Sequence, residues 1–304
     1  MTSARLRAAH AFSTISMDTG VNIQVISDAS REVIEDSVQR ALEWFDTVER
    51  ICTRFDRSSE VMQLVDRVGK PIKVSTLLFE VVAFGMDLAE QTNGAFDPTV
   101  GASMEQLGFN TNYKTGEALH TELDARPQEI SFRDVKLDRR ARTILLRRPL
   151  ILDVNAVAKG LAIDLAAREL LGFDDFSVEA GGDLLVHGHN ASGEAWHIGI
   201  QHPRAAGLLS ETLDVTDAAV CTSGDYQRRA GADQAAGHIL DGRTGQSVND
   251  LASVTVVAPT AMAADGLSTA AMILGRERGT RFLAEQGVGG LLIAPDGTQW
   301  KVNL

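Results

Sequence analysis

FSVEAGGDLLVHG, residues 176–188, holds two short strand-like runs on either side of paired glycines. More runs of the same kind follow in quick succession: AWHIGIQ (195–201), LSETLDV (209–215), AAVCTS (218–223), GHIL (237–240) and SVTVVA (253–258). Runs so short and so closely spaced are joined by hairpins. Helical patterns lie to either side. Residues 31–51 carry Ile34, Val38, Leu42, Phe45 and Val48 on one stripe. A second helix is expected from about Ser75, its N-cap, to Thr92, with Gly94 as its stop. A third runs from near Val157 to before Gly172 with Leu161, Leu165 and Leu170 inward, and two more span about 261–274 and 276–286. Alternation in VNIQVI (21–26), the runs EISF, VKLD, TILLR and LILDV within 129–154, and a closing pair, GGLLIAP and QWKVNL, complete the strands. Helices grouped on hairpin-joined strands, without βαβ alternation, predict an α+β fold. No internal repeat or linker appears, so residues 1–304 are expected to form one domain, with a lobe division near 150.

Composition narrows the function. Hydrophobic residues at 44% and charged residues at 23% are those of an ordinary globular protein, which sets disorder aside. A formal net charge of -12 argues against general nucleic-acid binding, which needs a basic footprint. Cys52 and Cys221 are too few for a disulfide scaffold and too isolated for a zinc site. The N-terminal stretch has no unbroken apolar run and no lipobox cysteine, and no segment approaches the roughly 20 apolar residues of a membrane span. A cytoplasmic protein is the expectation.

Five segments carry chemistry. In AADGLSTAAMILG (263–275), Asp265 and Thr269 are one helical turn apart on one face, where a carboxylate and a hydroxyl offer hard oxygens to Mg²⁺. The competing reading makes Asp265 a cap or dipole-matched residue of the first turn. In ILDVNAVAKGLAID (151–164), an apolar run enters Asp153 and small residues, then Lys159 near a helix start, a setting that favours phosphate. A tight turn with a solvated lysine fits the same residues. Gly181 and Gly182 read as a bulge, or as bare backbone against which something packs, with Asp183 beside it. Thr222, Ser223 and Gly224 end a strand in hydroxyls and amides, and GHILDGRTGQSV (237–248) sets His238 and Arg243 about a polar turn. A lone histidine is more often structural than catalytic.

Taken in order, these segments resemble the ApbE flavin transferases over most of the chain. The matching blocks are Met17-Asp18-Thr19; Phe55 with Ser58-Ser59-Glu60; Ala95 to Thr99; Asp153 to Gly160; Glu179 to Asp183; Thr222 to Tyr226; His238 to Gly245; and Ala264-Asp265 to Thr269. The resemblance implies a T-fold-related α+β architecture of antiparallel or mixed sheets with packed helices, in two interlocked lobes that hold FAD between them. It implies Mg²⁺ at the FAD pyrophosphate, ligated by the Ala156 carbonyl, Asp265 and Thr269. FAD contacts carried over are Met17, Phe55, Ala95, Phe96, Asp97, Asp153, Lys159 and Asp183, with Phe55 against the flavin. Asp265 and His238 become the catalytic candidates, His238 as general base. The implied reaction moves FMN from FAD to a Thr or Ser hydroxyl of an acceptor protein, in a Ser/Thr-Gly-Ala-Thr/Ser-like segment, and releases AMP. Water as nucleophile would instead make a Mg²⁺-dependent FAD pyrophosphatase; an FAD-binding protein without catalysis is a third reading. The sequence departs from the family pattern at Asp18, where Gly is common, at Asn155-Ala156 in place of Gly-Gly, and at Gly242 in place of Pro.

Overall fold

A computed structural model describes residues 7–123, 129–226, 229–230 and 236–304. Its organising element is an eight-stranded sheet whose strands stand side by side in chain order. They are β1 (Ala9–Ser16), β2 (Thr19–Ile26), β3 (Phe176–Ala180), β4 (Asp183–His187), β5 (Ala218–Gly224), β6 (Ser253–Ala258), β7 (Gly289–Ile293) and β8 (Gln299–Val302). Every neighbouring pair is antiparallel. The helices enter as excursions from this meander. Between β2 and β3 come α1 (Arg31–Cys52), α2 (Thr76–Gln91), α3 (Gly101–Gln106) and α4 (Asn155–Glu169); α5 (Ala261–Gln286) joins β6 to β7.

Alternation decides which face is buried. Val21, Ile23 and Val25 point to the helix layer and are fully buried, packing with Ile34, Val38, Phe45 and Val48 of α1. The opposite face carries a smaller apolar cluster, Ile26, Val186, Val220, Leu291 and Ile293, covered by Trp196, Ile200 and Val215 of a hairpin (196–201 and 209–215). α2 begins as its sequence predicts, with Ser75 Oγ accepting the Leu78 amide at 3.2 Å, and ends with Gly94 donating to Ala89 O at 2.8 Å. α5 breaks at Gly275, with φ 74°, where Arg276 N–H leaves the helix for Asp250 Oδ2 at 2.8 Å.

Three local expectations change. Gly181 and Gly182 are not a bulge but the two-residue turn of a hairpin: Ala180 pairs with Asp183, and both glycines have positive φ, 60° and 91°. VKLD and TILL pair as expected, joined by Ile72–Lys73, but EISF and LILDV form no strands. The second of these bonds elsewhere: Asp153 N–H goes to Pro98 O at 2.7 Å, and Ile151 O accepts from Gly101 at 3.2 Å. In GHIL, His238 and Ile239 lie between two short ladders, outside either.

α4 crosses α5 at a point with no room for a side chain. A Cβ on Gly160 would stand 2.3 Å from Ala261 O. One turn on, Asp164 accepts the Ala261 and Met262 amides at 2.7 and 3.0 Å, so a side chain of α4 caps the N-terminus of α5. Replacing Gly160 by Ala is therefore expected to cost about 1–3 kcal/mol as the helices part. Gly172→Ala, in open space, is expected to be near neutral. Thermal denaturation of the two variants checks this; equal melting temperatures would contradict it.

Candidate active site

The turns at one end of the sheet, the start of α4, the face of α5 that carries Asp265, Thr269 and Ile273, and the end of α1 surround a cavity of about 880 Å³. Its charged floor follows from the helix crossing. Lys159, in the second turn of α4, is ion-paired with Asp183 at the start of β4 and lies 4.0 Å from Asp265 Oδ2. Asp183 also accepts the Thr222 amide at 2.7 Å. Asp265 accepts the Gly160 amide at 3.1 Å through Oδ2, while its Oδ1 takes no hydrogen bond from the described residues. Burial pushes the Asp265 carboxyl above its usual range, and the Lys159 charge opposes that rise.

Asp265 is not the helix cap. That task falls to Thr260, whose side chain accepts the Ala263 amide at 3.3 Å, and Asp265 lies a turn further in. Thr269 follows on the same face. Ser223, at the end of β5, lies 2.9 Å from both the Ser268 and Thr269 hydroxyl oxygens, and Ser268 donates to Asp265 O at 2.9 Å. These contacts hold the Thr269 hydroxyl in place.

Phe55, Phe96 and Phe109 are aromatic residues of the cavity's wall. His238 lines the same space, its ring edge-on to Phe109 with centroids 6.5 Å apart. Asp97 also lines it, but the carboxylate is spent on the protein: it accepts from Thr99 N and Oγ1 at 2.8 and 2.6 Å and from Phe132 N at 2.9 Å. Burial nonetheless raises its pKa. Cys52 borders the cavity as an inert thiol, pushed up to about 12 by burial and the Glu60 charge.

Of the residues singled out from sequence, Met17, Phe55, Phe96, Asp97, Asp153 and Ala156 line this cavity, as do Lys159, Asp183, His238, Asp265 and Thr269. Ala95 does not. It is fully buried behind the wall, its carbonyl accepting the Gly242 amide at 2.8 Å. The same contact accounts for Gly242, since proline has no N–H to donate and a Cβ there would fall 2.4 Å from Asp97 Cβ. Asp18 occupies the left-handed region (φ 61°), as does Met17 (φ 53°), in the turn that aligns β1 with β2. Asp tolerates that conformation better than most residues, which makes it a workable replacement for glycine.

Sequence reasoning missed two features. Arg54, almost fully buried, donates from Nε to Asp153 at 2.6 Å; nothing in its spacing marks it. Residues 108–114 also line the cavity and are tied down through Glu49, which accepts from Lys114 Nζ at 2.9 Å, Tyr113 OH at 3.2 Å and Met17 N at 3.2 Å. Asn112 adds a bond to Phe55 O at 3.1 Å. Glu49→Ala is expected to speed tryptic cleavage after Lys114 in the native protein about fivefold or more, as these bonds give way to local opening. An unchanged rate would show that the segment is held elsewhere.

The sequence profile described as the ApbE family matches residues 17–292. The chain is similar to the FAD:protein FMN transferases of Vibrio cholerae (30% identical over 275 residues, 87% of this chain and 81% of that one) and Klebsiella pneumoniae (28% over 291 residues, 92% and 82%). Among solved structures, the ApbE protein of Thermotoga maritima superposes with a TM-score of 0.86 at 27% identity, covering 97% of each chain. The flavin transferase ApbE of Vibrio cholerae gives 0.82 at 28% identity, covering 98% of each.

Proposed function

The chain belongs to the ApbE family, and from that premise we propose that it transfers the FMN half of FAD to a Ser or Thr hydroxyl of an acceptor protein. The observation that carries this reading is the convergence of Lys159, Asp265, Thr269 and His238 on one cavity with Phe55 in its wall. A lysine, an oxygen-donor pair, an imidazole and an aromatic surface in one space suit a flavin nucleotide and phosphoryl transfer.

The donor chemistry fits Mg²⁺. No group of three or more His, Cys, Asp or Glu among the described residues could hold a metal, so a dedicated carboxylate cage is not what this site offers. It offers one carboxylate with an oxygen to spare, a fixed hydroxyl and the Ala156 carbonyl. Such a sparse set of hard oxygens suits a cation that keeps waters and takes substrate phosphate oxygens. When bound, Mg²⁺ would offset charge on the pyrophosphate and orient it.

The chain's own residues do the rest. Phe55 stacks the flavin ring. Lys159, already positioned by Asp183, balances phosphate charge near the start of α4, where the helix dipole also favours an anion. The acceptor hydroxyl oxygen forms a bond to the FMN phosphorus, the bond from that phosphorus to the bridging oxygen breaks, and AMP leaves with the bridging oxygen. His238 accepts the hydroxyl proton. The acceptor segment is expected to be of the Ser/Thr-Gly-Ala-Thr/Ser type.

Incubation of the protein with FAD, Mg²⁺ and an acceptor bearing such a segment should add the mass of FMN to one Ser or Thr and release AMP, with EDTA abolishing both. AMP and free FMN without acceptor modification would assign the FAD pyrophosphatase reaction instead. Bound FAD with neither product would leave a binding protein. Asp265→Ala is expected to reduce metal-dependent transfer below about a thousandth, the order of several kcal/mol of charge stabilisation. His238→Ala should lower the rate about 10²- to 10⁴-fold at saturating FAD. An unchanged rate would remove His238 as the base.

A further inference from the structure

Behind the Asp265 end of the cavity, three hydroxyls form a chain whose proton direction is fixed by its far end. Ser268 is completely buried, and Ser223 is 8% exposed. The Ser268 hydroxyl lies 2.9 Å from Asp265 O, and since a carbonyl oxygen only accepts, Ser268 spends its one hydrogen there. Ser268 Oγ is also 2.9 Å from Ser223 Oγ; with no hydrogen left it accepts, so Ser223 donates to it. Ser223 then has none left for Thr269 Oγ1, 2.9 Å away, so Thr269 donates to Ser223. No other assignment makes all these contacts hydrogen bonds. The neighbouring hydroxyls of Thr222 and Thr255, 2.8 Å apart, have no such direction, because no carbonyl among the described residues terminates their pair. A serine bonding back into its own helix, as Ser268 does, is common. Ser223 is not local: it comes from the end of β5 and joins two residues of α5.

We propose that Ser223 and Ser268 are positioning residues that make the Thr269 hydroxyl a pure acceptor towards the cavity, set to take a divalent cation rather than to donate to phosphate. The proposal rests on the reading above that Asp265 and Thr269 receive Mg²⁺. A hydroxyl ligates a cation through a lone pair, and its hydrogen must point elsewhere. A threonine that kept its hydrogen for the cavity would suit a phosphate oxygen instead. Thr269 and Ser223 line the cavity, whereas Ser268 lies behind them and acts only through the chain. Hydrogen bonds in series polarise one another, so a cation on Thr269 Oγ1 strengthens its donation to Ser223 and that of Ser223 to Ser268. The chain ends on the main chain of Asp265, the residue whose carboxylate faces the same place. One turn of α5 therefore presents both oxygen donors with their acceptor sides outward.

Equilibrium binding of FAD to the full-length protein, titrated with Mg²⁺ from an EDTA baseline and without acceptor, tests this. In the parent, FAD should bind more tightly as Mg²⁺ rises, with a defined midpoint. Ser223→Ala frees Thr269 to turn its hydrogen to the cavity. It is expected to raise that midpoint about three- to tenfold, the worth of one hydrogen bond, while FAD affinity in EDTA does not fall. Ser223→Thr keeps a hydroxyl on a residue that suits a strand and should restore the parent midpoint. Ser268→Ala lets Ser223 donate to Thr269 and should shift the midpoint the same way; it carries the comparison if Ser223→Ala fails to fold. The parent midpoint in a folded Ser223→Ala protein would overturn the proposal. Equal weakening of FAD with and without Mg²⁺ would overturn it too, by making the serine purely structural. So would weaker binding in EDTA with an unchanged midpoint, which would assign the Thr269 hydrogen to phosphate. A parent whose FAD affinity ignores Mg²⁺ would sink the cation reading of the site and this inference with it. Since no transfer is measured, a chain that binds FAD and Mg²⁺ but moves no FMN would count against the proposed reaction and leave this inference standing.

Discussion

The crossing of α4 over α5 is the contact on which the rest of the molecule depends. At Gly160 the two backbones approach so closely that a single methyl group would collide with the Ala261 carbonyl. The approach is held by polar bonds as well as by packing: Asp164 of α4 takes the first two amides of α5, and Asp265 of α5 takes the Gly160 amide of α4. Asp164 thus satisfies two first-turn donors of α5 that would otherwise be unpaired, and Asp265 returns a bond to α4. The same geometry brings Lys159 within 4.0 Å of Asp265. What secures the helix layer also assembles the charged floor of the cavity.

The sheet contributes through its turns. An antiparallel meander returns its hairpins to one end, and two of them, at Met17-Asp18 and Gly181-Gly182, lie side by side with Gly181 N–H on Gly20 O at 3.1 Å. Strain in the first turn is matched by function of place, since Met17 and Asp18 both border the cavity. Three of the aspartates that line the cavity are engaged by the protein itself. Asp97, Asp153 and Asp183 are held by Thr99 and Phe132, by Arg54 and by Lys159 respectively. Asp265 alone among these four keeps an oxygen that no described residue engages.

Much of the fold was legible because periodicity is local. The stripe of α1, the Ser75 cap, the break before Arg276 and the strand runs from 176 to 258 all report what each segment buries. Legibility failed where bonding partners are distant. LILDV looks like a strand, yet its backbone bonds to residues 98 and 101, which no local pattern reveals. Paired glycines signal unusual backbone but not whether it is a bulge or a turn; the register of Ala180 with Asp183 decides that. Gly242 looked like a departure, and its reason appeared only in the Ala95 carbonyl it meets.

The sequence by itself determined the α+β class, the family and the charged and hydroxyl groups at the centre of the cavity, because alternation, helical spacing and ordered motifs are properties of neighbouring residues. Tertiary structure alone decided what each of those side chains is free to do. It spent Asp97 and Asp153 on the protein, moved Ala95 behind the wall, and put Arg54 and Glu49 at the site. Hydrogen-bond capacity is limited, and whether a carboxylate or a guanidinium has any left depends on residues as much as a hundred positions away.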